Sequence, residues 1–363
     1  MADQLSLFPQ VQTRFPKTRY QGSKAKLSNW IWEKISNLEF ETCLDAFGGT
    51  GTISHRLKRE FKQVTYNDSL KFNYWFGQAL IENSDVLLHD RDIEWLLNSY
   101  DASYPTLIAD TFADIYYLEE ENRWLDRVIT NILRLEDKYK RSLAFFALAQ
   151  SCIIKRPYNL FHRKNLYVRT ADVKRSFGNK TSWDRPFETW FRHFVAEANQ
   201  AVFSSGKTCL AKNADVCCIE GKYDLVYFDP PYISGKGVGV DFRDFYHFLE
   251  GLANYDRWSE MIDMTSKHRR LIRIPNDWID KRRIYGAFEK VFERHADSML
   301  VVSYRSDGIP SESELIRLLA RFKSDVRVER FRIYQYALSK NKISNDILLI
   351  GHKRMSDFER QIR

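Results

Sequence analysis

Two short stretches hold the residue types best suited to chemistry. In LVYFDPPYIS, at 225–234, an acid, two prolines and an aromatic follow a very apolar run. Pro230 and Pro231 fix φ and remove two backbone donors, so carbonyl acceptors stand beside the Asp229 carboxylate in a rigid turn. Acceptors are what an aromatic amine needs. The amino nitrogen of adenine is a poor nucleophile because its lone pair is delocalised into the ring. If the Asp229 carboxylate and the Pro230 carbonyl each accept one amino hydrogen, that lone pair can localise toward an electrophilic methyl group. Tyr232 would stack on the base, a contact worth about 1–3 kcal/mol by analogy with single-strand binders. A surface Pro-Pro turn with an incidental acid is the plainer alternative.

The second stretch, LDAFGGTGTISHRL at 44–57, sets Asp45, Phe47, Gly49 and Gly51 between an extended run and a helical one. Glycines there let a ligand approach the backbone at a helix N-terminus. Asp68 closes the next extended run, where an acid commonly accepts hydrogen bonds from ribose hydroxyls. Alone, the G-x-G turn fits a tight strand-to-helix connection beside a solvated acid equally well.

The elements that must position these residues can be read from periodicity. Short apolar or β-branched runs at 42–47, 64–68, 223–229 and 299–304 predict strands. Apolar spacing of three and four residues predicts helices over 24–35 and 52–61, and Ser311 with Glu314 forms a capping box opening a helix over 315–322. Alternating strands and helices imply a mostly parallel α/β sheet. Runs at 326–338 and 343–352 read as two further strands whose link, 339–342, is too short for a parallel crossover, so an antiparallel pair should close the sheet. Residues 85–202 break the alternation. Helical patterns over 108–118 and 124–149 precede a basic, aromatic-rich stretch, and the whole reads as an inserted, mainly helical domain. The expected division is a flexible tail at 1–16, a main domain from 17–84 and 203–363, and the insertion.

Composition narrows the class. With 363 residues, 44% of them hydrophobic, the chain can bury a sizeable core. Five cysteines without zinc-site spacing indicate a reducing cytoplasm and no structural metal. The N-terminus lacks a secretory pattern, and no apolar run approaches the roughly 18 residues of a membrane span, so no membrane role is expected. The net charge of +8 is concentrated: Lys155, Arg156, Arg163, Lys164, Arg169, Lys174, Arg175, Lys180 and Arg185 face only Asp172 and Asp184, a net +7 in one segment. Tyr158, Phe161, Tyr167, Phe177 and Trp183 are interleaved with them, the composition of a surface that grips phosphates and offers stacking faces. Most of these cations should touch backbone phosphate, and a few between Arg163 and Arg175 should read base edges.

Taken together, GTG after a strand, an acid after the next strand and DPPY much later resemble the N6-adenine DNA methyltransferases of the alpha motif order, over most of the chain. KRPYNLFHRKNLYVR with the following FGNK resembles the Dam-like and type IIS companion methylases within that group. The resemblance implies a Rossmann-like methyltransferase sheet, S-adenosylmethionine as methyl donor, double-stranded DNA as substrate, a target-recognition domain at the insertion and, as a further partner, a companion restriction endonuclease. It also implies that Tyr20 and Lys24, in RYQGSK at 19–24, line the cofactor pocket. Asp45, Phe47, Gly49 and Gly51 would cradle the methionine part, with Asp68 on the ribose and Asp215 near the adenine ring. For Asp215 an ordinary surface acid is an equal alternative. The acidic helical part at 101–140 departs from the common pattern.

Other features point elsewhere. SGKGVG at 234–239 suits a mobile loop closing over an extruded base, or a plain connection. Gly206-Lys207-Thr208 imitates a phosphate-binding loop, but a helical pattern precedes it and an extended one follows, the reverse of the order an ATPase requires. Gln4 to Phe8 resembles the peptide by which bacterial proteins dock on a sliding clamp, against a frayed terminus with chance hydrophobes. Two function classes remain: an active methyltransferase, or a DNA-binding protein that keeps the fold without turnover.

Overall fold

A computed structural model describes residues 13–172, 180–331 and 345–352. Lys174, Arg175, Phe177, the 339–342 link and the clamp-like peptide lie outside them. Among the described residues nine strands form, in chain order β1 (Thr42–Asp45), β2 (Gln63–Asn67), β3 (Leu210–Lys212), β4 (Leu225–Phe228), β5 (Ile233–Ser234), β6 (Met299–Arg305), β7 (Gly308–Ile309), β8 (Val326–Phe331) and β9 (Asp346–Gly351). Seven build one sheet in the order β3-β2-β1-β4-β6-β9-β8, while β5 and β7 form a separate antiparallel ribbon. The first five are parallel. β9 runs antiparallel to β6, and β8 pairs antiparallel to β9 from Val326↔Gly351 to Phe331↔Asp346. This is the mostly parallel sheet that the alternation predicts, closed by the antiparallel pair expected from the short link, and it matches the Rossmann-like sheet that the resemblance implies.

Side-chain alternation sorts the strands between two cores. Cys43, Leu225, Tyr227 and Val301 point into one apolar cluster, whereas Leu44, Val226, Phe228, Leu300 and Val302 point into the other. The second is covered by the helices Ile284–Arg294 and Glu312–Ala320, the latter opened by the expected Ser311/Glu314 box. After β1 the chain moves outward to β2 and then β3; after β4 it moves the other way to β6. The direction reverses between β1 and β4, and a crevice at the carboxyl ends of those strands is where such sheets bind ligands.

The first core extends into the expected insertion. Helix Lys138–Ile154 buries nearly its whole circumference. Its Phe145 meets Trp75 at 4.4 Å and its Phe146 meets Phe76 at 4.9 Å, both partners lying on the helix Lys71–Gly77 that follows β2. Helix Phe187–Ala201 joins the same cluster. Residues 85–202 therefore do not separate cleanly from the sheet, because their two longest buried faces complete its helical layer. The pattern over 108–118 yields only the short helix Leu107–Thr111, after which Asp114 takes a positive φ of 56°. The phosphate-loop imitation lies between helix Phe187–Ala201 and β3, in the order expected of a decoy. Among the described residues no helix is long and apolar enough to cross a membrane.

Candidate active site

A cavity of about 640 Å³ opens at the carboxyl ends of β1, β2 and β4. It is lined by Tyr20, Lys24, Asp45, Phe47, Gly49, Asp68, Asp215, Asp229, Pro230, Pro231 and Tyr232, residues brought together from distant parts of the sequence, Lys24 and Tyr232 alone being 208 positions apart. Of the residues expected on the cofactor, Gly51 alone is absent from the wall. It is the N-cap of helix Thr52–Arg59 at φ 83°, and a side chain there would lie against Ile81, so its role is to turn the chain. Gly48 serves close approach: a Cβ at that position would fall 2.0 Å from the Tyr66 ring. The Tyr66 hydroxyl then reaches the Gly49 carbonyl at 2.7 Å and the Asn73 carbonyl at 2.9 Å, bracing the turn from beneath.

Asp45 and Asp68 are among the buried acids on this wall. Asp45 Oδ2 accepts from the Ser54 hydroxyl at 2.7 Å, while Oδ1 lacks a hydrogen-bond partner. At 1% exposure the desolvation outweighs the Ser54 bond and pushes the Asp45 carboxyl up to about 7. Asp68 accepts from Gly49 N at 2.9 Å, Leu70 N at 2.8 Å and Asn73 Nδ2 at 3.1 Å. Burial still prevails over those bonds and raises it to about 6. Three bonds on two carboxylate oxygens leave it room to accept a hydroxyl. Asp215 is exposed, and its Oδ1 caps the short turn Val216–Cys218 through Cys217 N at 2.8 Å.

At the catalytic turn, Asp229, Tyr232 and Lys24 close a triangle. The Lys24 ammonium donates to Asp229 Oδ1 at 2.7 Å and to the Tyr232 hydroxyl at 2.6 Å, and that hydroxyl donates to the same Oδ1 at 2.7 Å. Lys24 is 7% exposed. Its ammonium is thus directed at the acid and the phenol of the DPPY turn. Tyr304 meets the Tyr232 ring edge-on at 4.9 Å, and its hydroxyl reaches the Ile309 carbonyl at 2.6 Å, so the β5–β7 ribbon backs the turn. The 234–239 segment is a closed turn, with Ser234 N bonded to Val238 O at 2.9 Å and Gly237 N to Ser234 O at 2.7 Å.

Several wall residues escape sequence reasoning. Tyr20 is stacked between Phe242 at 5.5 Å and Tyr246 at 4.5 Å, from a segment that follows the catalytic turn. Trp278 packs on Phe47 at 4.8 Å. Asn73 links Asp68 to the Tyr20 hydroxyl, which it reaches at 3.3 Å. Asn73 carried a weak signal, being polar in an otherwise apolar helix just after Asp68; Phe242, Tyr246 and Trp278 had none.

The basic segment divides. Arg163, Lys164, Lys180 and Arg185 are exposed, and so are Tyr158 and Tyr167, at 61% and 69%. Lys155, Arg156 and Arg169 are corrections to the expected phosphate-gripping surface, because all three are buried. Lys155 and Arg169 both pair with Glu121 at 2.8 Å, from the helix Glu119–Leu133. Arg156 lies over the Tyr116 ring at 4.1 Å and donates to the Leu160 and Arg163 carbonyls at 3.1 and 3.2 Å. They hold the loop that displays the exposed cations. Within that loop Tyr158 and Asn159 both take positive φ, a conformation that such clamping sustains. Phe161 N reaches the Phe245 carbonyl at 2.9 Å, which ties the loop to the cavity wall.

The family described as D12 class N6 adenine-specific DNA methyltransferase matches residues 20–274. Among curated proteins, the chain is 30% identical over 347 residues to the type II methyltransferase M2.HphI of Haemophilus parahaemolyticus, covering 93% of this chain and 97% of that protein. It is 26% identical over 363 residues to M.NlaIII of Neisseria lactamica, covering 94% and 97%. To M.FokI of Planomicrobium okeanokoites it is 25% identical over 345 residues, where 89% of this chain matches 50% of the longer protein.

Proposed function

Because the chain belongs to the D12 class of N6 adenine-specific DNA methyltransferases, we propose that its cavity takes S-adenosylmethionine and an adenine extruded from double-stranded DNA, and methylates N6 of that base. The observation that carries this reading is the meeting, in one cavity, of a buried partnerless oxygen on Asp45 and the Asp229-Pro-Pro-Tyr232 turn.

The residues fit the donor. Asp45 Oδ1 is an acceptor without a donor, suited to an α-ammonium; Asp68 can accept a ribose hydroxyl; Asp215 stands on the wall as an acceptor for an adenine amine. Phe47, Gly49 and Tyr20 bound the intervening space. When bound, S-adenosylmethionine supplies a methyl group on a sulfonium, electrophilic without further activation. The protein's task is then to make the amine nucleophilic and aim it. Asp229 Oδ1 is held by Lys24 and Tyr232, which leaves Oδ2 to accept one amino hydrogen while the Pro230 carbonyl accepts the other. Lys24 and the phenol fix the carboxylate's rotation, a positioning effect. The Tyr232 ring is the stacking face for the base, and Pro231 keeps the turn stiff.

DNA reading falls to the exposed Arg163, Lys164, Lys180 and Arg185, with Lys174 and Arg175 in the same segment, all in the 85–202 region that we assign to target recognition. Kinship with type II methyltransferases supports a companion restriction endonuclease as partner. A cytoplasmic setting is part of the same proposal. Incubating the protein with labelled S-adenosylmethionine and genomic DNA, then mapping methylated adenines by single-molecule sequencing, tests the proposal: a single sequence motif should emerge, and Asp229→Ala should abolish it while duplex binding persists. Methylation confined to cytosine, or to RNA, would overturn it.

A further inference from the structure

Between the catalytic turn and β6 the chain forms a rooted finger. An antiparallel bridge joins Ile262 to Leu271, and Asp263 N reaches Arg270 O at 2.8 Å. Both bridge residues are buried, at 6% and 2% exposure. Tyr116 steadies the far side by donating its hydroxyl to the His268 carbonyl at 3.0 Å. The chain then continues as an irregular strap over 272–275, in which Ile272 and Ile274 are 51% and 60% exposed on either side of the exposed Arg273.

The strap belongs to the rim of the active site. Leu271, Arg273, Ile274 and Pro275 line the cavity. Arg243, which also lines the cavity, donates to the Ile272 carbonyl at 2.7 Å, and Trp278 just beyond the strap packs on Phe47. Its backbone is therefore pinned from both sides while its isoleucines stay in water. Single exposed apolar side chains are ordinary on a protein surface. A pair of them on a pinned strap at a cavity rim, together with Lys267, Arg269, Arg270 and Arg273 against a single acid, Asp263, is the composition of a contact surface.

Double-stranded DNA opened at one base step fits that composition. Its phosphates complement the cations, and the step from which a base has swung out exposes apolar base faces that have lost their stacking partner. Resting on the reading of this chain as a base-extruding DNA enzyme, we infer that the strap is the wedge of that reaction. Ile272 and Ile274 fill the space vacated by the adenine, and Arg273 and Lys267 hold the neighbouring phosphates. The finger keeps the wedge at a fixed distance from Asp229, so that the base has one place to go. This would give the enzyme a second DNA-contacting element, far in sequence from the 155–185 segment.

The test uses the full chain and a duplex carrying its mapped site, with 2-aminopurine at the target adenine in one series. With wild-type protein the fluorescence rises as the base leaves the stack. Ile272→Ser/Ile274→Ser should lose that rise and methylate a paired target at least about tenfold more slowly, with S-adenosylmethionine binding unchanged. Placing the target adenine in a mismatch, where it is already poorly stacked, should restore the variant's rate, which a general structural lesion would not allow. Ile272→Leu/Ile274→Leu should behave as wild type. Lys267→Ala/Arg273→Ala should make the dependence of log affinity on log salt shallower by about two. The inference is overturned if the serine variant extrudes and methylates a paired target at the wild-type rate, or if the mismatch fails to rescue it. Absence of DNA methylation by the wild-type protein would instead overturn the functional reading on which the wedge rests.

Discussion

On the proposed reading of the cavity, Asp45 would make cofactor binding a protonation event. Its ordinary value of 3.8 is carried to about 7 by burial, and that of Asp68 to about 6. Because the folded state holds these protons longer than the unfolded chain does, the stability they confer is complete below about pH 4 and is lost as the pH rises through 6 and 7. An ammonium placed on Asp45 Oδ1 favours the charged form and relieves that penalty. Calorimetric affinity for S-adenosylmethionine should therefore climb with pH and level off above about 7. Asp45→Asn should flatten the climb, weaken binding about ten- to hundredfold and raise the Tm of the cofactor-free protein at pH 8. In the proposed mechanism Lys24 would act on the other substrate's side, through Asp229 and Tyr232. With its ammonium removed, Asp229 Oδ1 keeps the Tyr232 hydroxyl but loses the charged donor that fixes it. Lys24→Ala should lower the single-turnover rate by about a hundredfold while duplex affinity holds, because the loss is one of aim. An unchanged rate would mean that the triangle does not position the acid.

At the scale of elements, charge that looks alike in sequence separates into two functions. The Arg169–Glu121 pair is buried, so Arg169→Ala should cost about 3–5 kcal/mol in urea unfolding by stranding the carboxylate. Arg163→Ala and Lys164→Ala, both on exposed side chains, should leave the unfolding midpoint in place and each reduce the salt slope of DNA binding by about one. Composition could not divide the segment this way, since Lys155 and Arg169 become internal only when Glu121, from the acidic stretch that departs from the family pattern, arrives between them. Local signals did fix the strands that carry Asp45, Asp68 and Asp229, because each ends a run of buried residues that periodicity exposes. The β5–β7 ribbon offered no such run, being only two residues on each side. Phe242 and Trp278 reach the cavity through tertiary contacts that no spacing encodes.

For the molecule as a whole, the shared core between the sheet and residues 85–202 sets how it comes apart. Phe145 and Phe146 are wholly buried against the helix after β2, so the insertion cannot leave without opening the main core. Urea denaturation followed by near-ultraviolet dichroism and by tryptophan fluorescence should give coincident single transitions, and Phe146→Ala should shift both together by about 3–5 kcal/mol. Two resolved transitions would show that the contacts are weaker than their burial implies. The stack of Phe242, Tyr20 and Tyr246 carries a different consequence. Tyr20 lines the cavity proposed for the cofactor, and the helix Phe242–Phe245 bears the Arg243 that holds the rim at Ile272. Whatever settles one ring settles the next, so the proposed reading predicts that the two substrates are thermodynamically linked. Cofactor should tighten DNA by the same factor as DNA tightens cofactor, and the demethylated product, which keeps the ammonium but lacks the methyl, should leave only as the duplex loosens.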